Sequence, residues 1–485
     1  MNVKAISRNV GYALLVSALF MLLSIFVSVG HGNDSALAAL IISFTITFTV
    51  GIFPFIFVKK TSEITMKDGY MITVLSWLLS FIFGMLPYAL WGGPFTIENA
   101  WFESVSGFTT TGATILENVE ALPASLLFWR SSTHFIGGLG VVVFLLLVIP
   151  NASPVRLRLT NMELSSLSKE GYNMRSNKIV YVFAYVYFAL FFIAFISYML
   201  AGMSPFDAVN HAFSVCATGG FSTRNTSIGA FDSRLIEGLT MLFMFLSSIH
   251  FGLVFFTVIG LSFKPLNNPV LKFYLCSIAF FSVYLAVVLK SNGIVASFGD
   301  ALWNSTFETL CISTTTGFST LDNSQWPPYA HLVFLFMGVM CGCAGSTTGG
   351  IKADRVLVLL KSVGVQIRKA VYPSSVATVK LGGQVMRDED VAPHLIYVSI
   401  YTLILAVSAS LVLLTGTSVQ NAISASVASL GNVGQATGAL GTFGNYNSLP
   451  DGAKILLTLD MFLGRVEIYP FLAVVAMLFK RNKKI

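Results

Sequence analysis

The chain has 485 residues, of which 55% are hydrophobic and only 11% are charged, with a mean hydropathy of +0.77 and a formal net charge of +7. A soluble protein carries about 25% charged residues, so this composition indicates a polytopic membrane protein and argues against a large catalytic domain. The positive charge does not indicate nucleic-acid binding, because most of the 29 Lys and Arg residues fall in segments predicted to lie on one side of the membrane. We therefore predict a membrane protein with both termini in the cytoplasm and no nucleic-acid partner.

Two apolar segments, 10–29 and 37–58, begin the chain. Lys4 and Arg8 precede the first, as in a signal peptide, but the apolar run is longer than the ~7–15 residues of a signal peptide's apolar region. We predict that region 1–60 is a pair of uncleaved transmembrane helices.

Four units of similar order follow this pair. Each has a long apolar segment, a short amphipathic segment of about 12 residues, a Thr/Gly-rich stretch and a second long apolar segment. A bilayer needs about 20 helical residues, so each short segment is predicted to be a re-entrant half-helix. The long segments are 70–91 and 122–149, 179–201 and 235–263, 270–289 and the region from 329 onward, and 391–414 and 455–479. The half-helices are 97–108, 205–216, 298–312 and 419–430.

Repetition of one unit predicts a pseudo-symmetric assembly around an axis. The predicted fold is an all-α polytopic membrane protein with four span–pore helix–span repeats around one central pore, plus the N-terminal pair. With that pair, the units give ten spans and four half-helices. The predicted repeat boundaries are 61–150, 151–264, 265–390 and 391–485.

The four Thr/Gly stretches occupy 109–114, 217–222, 313–320 and 432–435. A cation crossing lipid must exchange its water shell for other oxygens, and backbone carbonyls bind it weakly enough to release it. Glycine reaches the backbone conformations that aim successive carbonyls at one axis, while threonine hydroxyls add oxygen ligands. A half-helix ending at such a stretch also directs the negative end of its dipole toward the cation. These stretches therefore predict a cation filter.

The pattern resembles the TrkH/TrkG/KtrB superfamily of potassium-uptake proteins over nearly the whole chain. The extra N-terminal pair makes the resemblance closer to TrkH than to KtrB. The resemblance implies one key glycine per repeat and a potassium-preferring filter that also passes rubidium and, weakly, sodium. The predicted filter residues are Thr110, Thr111, Gly112, Thr218, Gly219, Gly220, Thr315, Thr316, Gly317, Asn432, Val433 and Gly434.

A run of small residues, 342–350, interrupts the apolar region after the third filter stretch. It should break a helix, and backbone without regular structure is tolerated at membrane depth where it lines a cavity. The resemblance implies an intramembrane loop that obstructs the pore, and the alternative is a close-packed helix kink. Arg465 lies in the last apolar segment and is predicted to act as an electrostatic barrier under the filter or, alternatively, as a structural partner of Asp460 or Glu467. The predicted gate residues are Gly342, Gly345, Ser346, Thr347, Gly349, Gly350, Lys352 and Arg465.

Other polar residues in apolar surroundings are expected to be structural. We expect Glu103 and Glu308 on the pore helices to satisfy amides of the filter, with direct ion binding as the alternative. We expect His134, His211 and His250 to form interior hydrogen bonds, with a proton relay as the alternative. No hydrolase triad or metal cluster is recognisable, so the chain is predicted not to be an enzyme and to bind no cofactor.

The leading functional prediction is the potassium-conducting subunit of a Trk-type uptake system in the bacterial inner membrane. The rival prediction is a coupled K+/H+ or K+/Na+ symporter. The resemblance further implies a homodimer in membrane lipid and a cytosolic, nucleotide-binding regulatory subunit of the TrkA type. The basic segments 151–178 and 361–387 are the candidate docking surfaces for that subunit.

Overall fold

The computed structural model describes residues 2–58, 64–148, 176–324, 326–382 and 384–480. Regular structure in this part of the chain is almost entirely helical, and the strands are limited to two small two-stranded sheets. The predicted basic segment 151–178 lies mostly outside the described residues.

The N-terminal pair consists of α1 (Val3–Gly30) and α2 (Leu37–Phe57), which pack against each other. The Asp34 carboxylate in the connecting turn accepts hydrogen bonds from Ser28 Oγ at 2.7 Å and Ser125 Oγ at 2.9 Å. These bonds fix the turn to the start of the second span of the first repeat.

Four groups of helices follow in the predicted order. The first is α3 (Met66–Gly84), α4 (Leu86–Trp91), α5 (Ile97–Phe108) and α6 (Ala124–Val148). The second is α7 (Ser176–Leu200), α8 (Pro205–Ala217), α9 (Arg234–Ser248) and α10 (Phe251–Ile259). The third is α11 (Pro269–Ser291), α12 (Phe298–Ser313), α13 (Pro328–Val339) and α14 (Ala353–Val371). The fourth is α15 (Asp388–Leu414), α16 (Val419–Leu430), α17 (Asp451–Arg465) and α18 (Ile468–Lys480). The predicted fold class is confirmed.

Among the described residues, six helices are long and apolar enough to cross a membrane, or up to eight if each of two bent pairs is one span. Their outer faces expose large apolar side chains, among them Phe26, Phe192 and Leu403, each more than half exposed. An apolar surface of this extent is the surface that a lipid bilayer covers.

Two predicted spans are not continuous helices. Segment 235–263 bends by 105° between α9 and α10, and segment 455–479 bends by 108° between α17 and α18. At the first bend, Ile249 is extended and the Nδ1 atom of His250 caps α10 by accepting from Gly252 N at 3.0 Å. At the second, Glu467 has a left-handed φ of 54°. The sequence predicted an apolar span for each of these segments, and the structure adds that each is bent, with polar residues at both breaks.

The third repeat is interrupted where the small residues occur. Helix α13 ends at Val339 and α14 begins at Ala353. Strand β1 (Met340–Cys341) pairs in parallel with β2 (Ile351–Lys352), which closes the base of the loop 342–350. The other sheet is the hairpin of β3 (Lys380–Leu381) and β4 (Gln384–Val385). We call residues 342–350 the intramembrane loop.

The structure has two large apolar cores. One is built mainly from the second and third repeats, and the other from the N-terminal pair with the first and fourth repeats. The short helices α8 and α12 contribute side chains to the first core, and α5 and α16 contribute to the second. Each short helix ends at buried polar residues.

Candidate functional site

A hydroxyl side chain caps the start of each short helix. The caps are Thr96 accepting from Asn99 N at 3.2 Å, Ser204 from Asp207 N at 3.1 Å, Ser297 from Gly299 N at 3.2 Å and Ser418 from Asn421 N at 3.4 Å. A hydroxyl cap satisfies one of the free N–H groups at a helix start. The opposite ends of these helices carry the negative end of the dipole, and all four lead directly into the Thr/Gly stretches.

The four stretches share one backbone conformation. Thr110, Thr218, Thr315 and Asn432 have left-handed φ values of 54–55°. Two residues later, Gly112, Gly220, Gly317 and Gly434 have φ values of 74–83°. Left-handed backbone is costly for residues other than glycine, so its recurrence at four equivalent positions indicates four copies of one constrained turn.

The four turns meet in a closed ring. A Cβ atom added to Gly112, Gly220, Gly317 or Gly434 would approach a backbone carbonyl oxygen of the next repeat to 2.5 Å or less. The oxygens that it would meet are, in the same order, those of Gly219, Thr316, Val433 and Thr111. Each carbonyl therefore lies against the key glycine of its neighbour, and the fourth repeat closes on the first. Only glycine fits at these positions.

The structure brings all twelve predicted filter residues to this ring, but their side chains differ in orientation. The Thr111 hydroxyl lies 2.8 Å from that of Thr109 and accepts from Asn432 Nδ2 at 3.0 Å. The Thr316 hydroxyl lies 2.7 Å from that of Thr314. The hydroxyls of Thr111 and Thr316 are therefore engaged within the protein.

Side chains one helical turn before each stretch hold the carbonyls in place. Ser106 Oγ donates to Ala113 O and Ser214 Oγ to Phe221 O, both at 2.6 Å, and Cys311 Sγ lies 2.5 Å from Phe318 O. The fourth repeat has Ala428 at this position. There, Tyr446 Oη donates to Gly434 O at 2.9 Å. Sequence reasoning missed these residues, although Ser, Ser, Cys and Ala recur six residues before the key glycines.

Glu103 is hydrogen-bonded at the end of the first stretch, where its carboxylate accepts from the Thr114 hydroxyl at 3.0 Å. Its carboxylate accepts from Ile115 N at 3.1 Å and lies 2.5 Å from Arg130 Nε. Arg130 in turn donates to Ser222 O at 3.1 Å, and its guanidinium stacks 3.6 Å from the centre of the Phe221 ring. This buried ion pair connects the first stretch to the second. Arg130 is a further residue that the sequence did not indicate.

Glu308 occupies the position of Glu103 in the third repeat and is fully buried. Within the part of the chain that the structure describes, no Lys, Arg or His pairs with it. The two equivalent glutamates therefore have different electrostatic surroundings.

The three histidines have interior partners. His134 Nδ1 lies 3.2 Å from Ser214 Oγ, and its ring stacks on Phe221 with the centroids 4.0 Å apart. His211 bridges Asp207 O at 2.7 Å and Ser222 Oγ at 2.9 Å. These contacts are those of structural hydrogen-bonding residues, and all three histidines lie next to the ring or the loop.

The intramembrane loop is buried between the ring and the bend of the second repeat. Cys343 N donates to Ser248 O at 2.9 Å, and Phe251 N donates to Gly345 O at 3.0 Å. The bend between α9 and α10 thus supplies the free carbonyl and amide that hold the loop. A continuous helix would leave neither group available, which explains why a break in the second repeat accompanies a loop in the third.

The loop also contacts the ring directly. Gly349 N donates to Thr315 Oγ1 at 3.1 Å, and Thr347 Oγ1 lies 3.3 Å from Thr218 Oγ1. Lys352, at the base of the loop, is buried and donates to Thr348 O and, at 3.2 Å, to Thr348 Oγ1. Of the predicted gate residues, Thr347 and Gly349 therefore bond directly to the ring, and Lys352 bonds to the loop at its base.

Arg465 holds the loop from the fourth repeat. Its Nη1 atom donates to Thr347 O at 2.6 Å and its Nη2 atom to Gly137 O at 2.9 Å. The two suggested carboxylates have other partners: Glu467 pairs with Arg355 at 2.6 Å, and Asp460 accepts from Ser408 Oγ. Arg465 therefore bridges the first, third and fourth repeats through backbone carbonyls.

Four re-entrant helices that deliver a ring of backbone carbonyls to the interior of a polytopic helical protein define a membrane transport protein with a pore-loop architecture. The sequence profile of the TrkH family, described as a cation transport protein, matches residues 37–484. The chain belongs to this family.

Relatives with curated names agree with that assignment. The Trk system potassium uptake protein TrkH of Vibrio parahaemolyticus is 31% identical over 99% of this chain and 100% of the relative. TrkH of Halomonas elongata is 32% identical over 97% of both chains, and TrkG of Escherichia coli is 30% identical over 99% of both. The crystal structure of the potassium transporter TrkH from Vibrio parahaemolyticus superposes with a TM-score of 0.87, at 30% identity, over 98% of this chain and 99% of that one.

Proposed function

We propose that the chain is the potassium-conducting subunit of a Trk-type uptake system and that K+ crosses the membrane through the ring of Thr/Gly stretches. The observation that carries this proposal is the closed ring in which the carbonyls of Thr111, Gly219, Thr316 and Val433 each lie against the key glycine of the preceding repeat, with the fourth repeat preceding the first. Names of relatives add support, because each is a potassium uptake protein.

The ring suits a dehydrated monovalent cation for electrostatic reasons. Carbonyl oxygens replace the water shell without a full negative charge, so an ion can both enter and leave. The dipoles of four helices add negative potential at the same point. The turns are braced by Ser106, Ser214 and Cys311, which resists collapse of the ring around a smaller ion. We infer a preference for K+ and Rb+ over Na+.

The intramembrane loop and Arg465 are proposed to restrict flow. The loop is held to the ring and to the bend of the second repeat, and Arg465 adds a buried positive charge beneath the ring. A cation leaving the ring would meet this charge, and a charge in a low-dielectric surrounding acts strongly on another. Opening therefore requires the loop to leave its contacts with Thr315 and Arg465.

Coupled symport of K+ with H+ or Na+ is the second candidate. The observation that favours it is Glu308, a fully buried carboxyl group with no cationic partner among the described residues. A carboxyl group in such a place is costly to ionise and could carry a proton. Glu103, which pairs with Arg130, provides the internal contrast.

The wider assembly is proposed by analogy with the family. We infer a homodimer in the lipid of the bacterial inner membrane, with both termini in the cytoplasm. A TrkA-like, nucleotide-binding subunit would regulate it from the cytosol, and the exposed basic residues of α14, including Arg368 and Lys369, are a docking surface for it.

Currents across a planar bilayer test the proposal. With K+ on one side and Na+ on the other, a K+-selective pore gives a reversal potential close to that expected for K+ alone, and a pH gradient leaves it unchanged. A reversal potential near zero would contradict the filter. One that shifts with the pH gradient would favour symport, and Glu308→Gln should then abolish the shift.

A further inference from the structure

The loop and the ring are joined by hydrogen bonds at two specific side chains. Gly349 N donates to Thr315 Oγ1 at 3.1 Å, and Thr347 Oγ1 lies 3.3 Å from Thr218 Oγ1. Both threonines have the left-handed backbone that recurs two residues before each key glycine, and their hydroxyls lie on the side of the ring that contacts the loop.

We propose that Thr218 and Thr315 couple the intramembrane loop to the innermost cation site, so that loop closure and K+ binding at that site oppose each other. The site is complete only when the loop has left the two hydroxyls. This inference rests on the proposed function and adds that permeant ions themselves favour the open loop.

The geometry of the Gly349 amide explains the opposition. An N–H group that donates to Thr315 Oγ1 points its positive end at the oxygen that a cation would use. Thr315, Thr347 and Gly349 are all buried, so water is poorly placed to take over these bonds. A cation at the inner site and the amide therefore compete for one oxygen.

The coupling is asymmetric around the ring. In the fourth repeat, Asn432 Nδ2 donates to Thr111 Oγ1 at 3.0 Å and to Met461 O at 2.8 Å. In the first repeat, no hydrogen bond from Thr110 to the loop occurs among the residues that the structure describes. Thr110 therefore provides a matched control: it has the same place in the ring and the same backbone conformation, but no contact of this kind.

The coupling can be measured because K+ binding and loop opening are thermodynamically linked. If closing the loop weakens K+ binding at the inner site, K+ must shift the loop toward its open state by the same factor. The Gly349 amide is protected from solvent exchange while the loop is closed. Its exchange rate therefore reports the loop independently of transport.

The experiment is hydrogen–deuterium exchange of the full chain in detergent, following the peptide that contains residues 342–350, in K+ or in N-methyl-D-glucamine. In the unmodified chain, K+ should speed exchange. Thr315→Val should speed it without K+, on the order of two- to tenfold, as expected for loss of one neutral hydrogen bond. Thr110→Val should exchange slowly without K+, because Thr110 makes no hydrogen bond to the loop among the described residues.

Two results would overturn the coupling. One is loop exchange in the unmodified chain that does not respond to K+, and the other is equal exchange in Thr315→Val and Thr110→Val. If Thr315→Val does not give a monodisperse protein, Thr347→Val removes the loop's hydroxyl without altering the ring and should show a reduced K+ response. Failure of the proposed function would give a different result from failure of the coupling. In that case K+ and Na+ would inhibit Rb+ uptake by the unmodified chain equally.

Discussion

Replacing Arg465 with alanine should open the pathway. In the closed arrangement, its guanidinium donates to Thr347 O at 2.6 Å and to Gly137 O at 2.9 Å. A hydrogen bond from a charged donor contributes about 1.5–3 kcal/mol. If the loop obstructs the pathway as proposed, opening must break the bond to Thr347, so removing that bond should shift the equilibrium toward the open loop by on the order of 10- to 150-fold. Removing the buried charge lowers the barrier to cations as well.

The assay is the initial rate of Rb+ uptake into proteoliposomes at matched protein density. Arg465→Lys is the matched variant, because it keeps the charge but cannot donate in the same way to both carbonyls. We expect Arg465→Ala to conduct fastest, with Arg465→Lys between it and the unmodified chain. Unchanged or reduced uptake by monodisperse Arg465→Ala would refute the role of this residue in closure, and a variant that fails to fold would identify it as structural only.

Four further predictions concern the ring, its supports, the loop and the N-terminal turn. Gly317→Ser should abolish K+ preference in uptake competition, because its Cβ would meet Val433 O at 2.5 Å; Gly364→Ser, where an added Cβ meets nothing within 4 Å, is the control. Ser214→Ala should weaken K+-over-Na+ competition by removing the donor to Phe221 O, whereas Ser214→Cys should largely retain it, since the third repeat uses a cysteine in this position. Shortening the 342–350 loop by two residues should raise Rb+ flux, and a folded protein with unchanged flux would argue against a gate. Asp34→Asn should lower the melting temperature at neutral pH: burial alone would raise the pKa of Asp34, but bonds from Ser28, Ser125 and Ala36 hold it below its ordinary value. The stabilisation by the Asp34 carboxylate is present above the ordinary aspartate pKa and is lost as the pH falls through the lowered pKa of Asp34. The melting temperature of Asp34→Asn should therefore depend less on acid pH than that of the unmodified chain.

Most of the fold could be predicted from the sequence, because the apolar segments and the repeated units each extend over many residues. Helices α5 and α16 match the predicted segments, and α8 and α12 differ by one residue at the end. The two bends were missed for a physical reason. A break in a membrane helix is stable only when another part of the chain satisfies the freed backbone groups, and Ser248 O is satisfied by Cys343 N from a different repeat. Hydropathy contains no information about that partner.

The site was predicted unevenly for a similar reason. The key glycines could be found because their backbone conformation and close contacts demand glycine. The Glu103–Arg130 pair could not, since it depends on the packing of α5 against α6. The contact of Arg465 with Thr347 O was also missed. Every residue has a backbone carbonyl, so the sequence does not show which carbonyl an arginine contacts.

Ion competition for uptake shows whether the ring selects K+. Purified full-length chain in proteoliposomes would be given rubidium-86, with unlabelled K+ or Na+ as competitor. If the ring selects K+, unlabelled K+ should inhibit rubidium uptake strongly and Na+ much more weakly, and uptake should need no proton gradient. Equal competition by the two ions, or uptake only when a proton gradient is imposed, would contradict it.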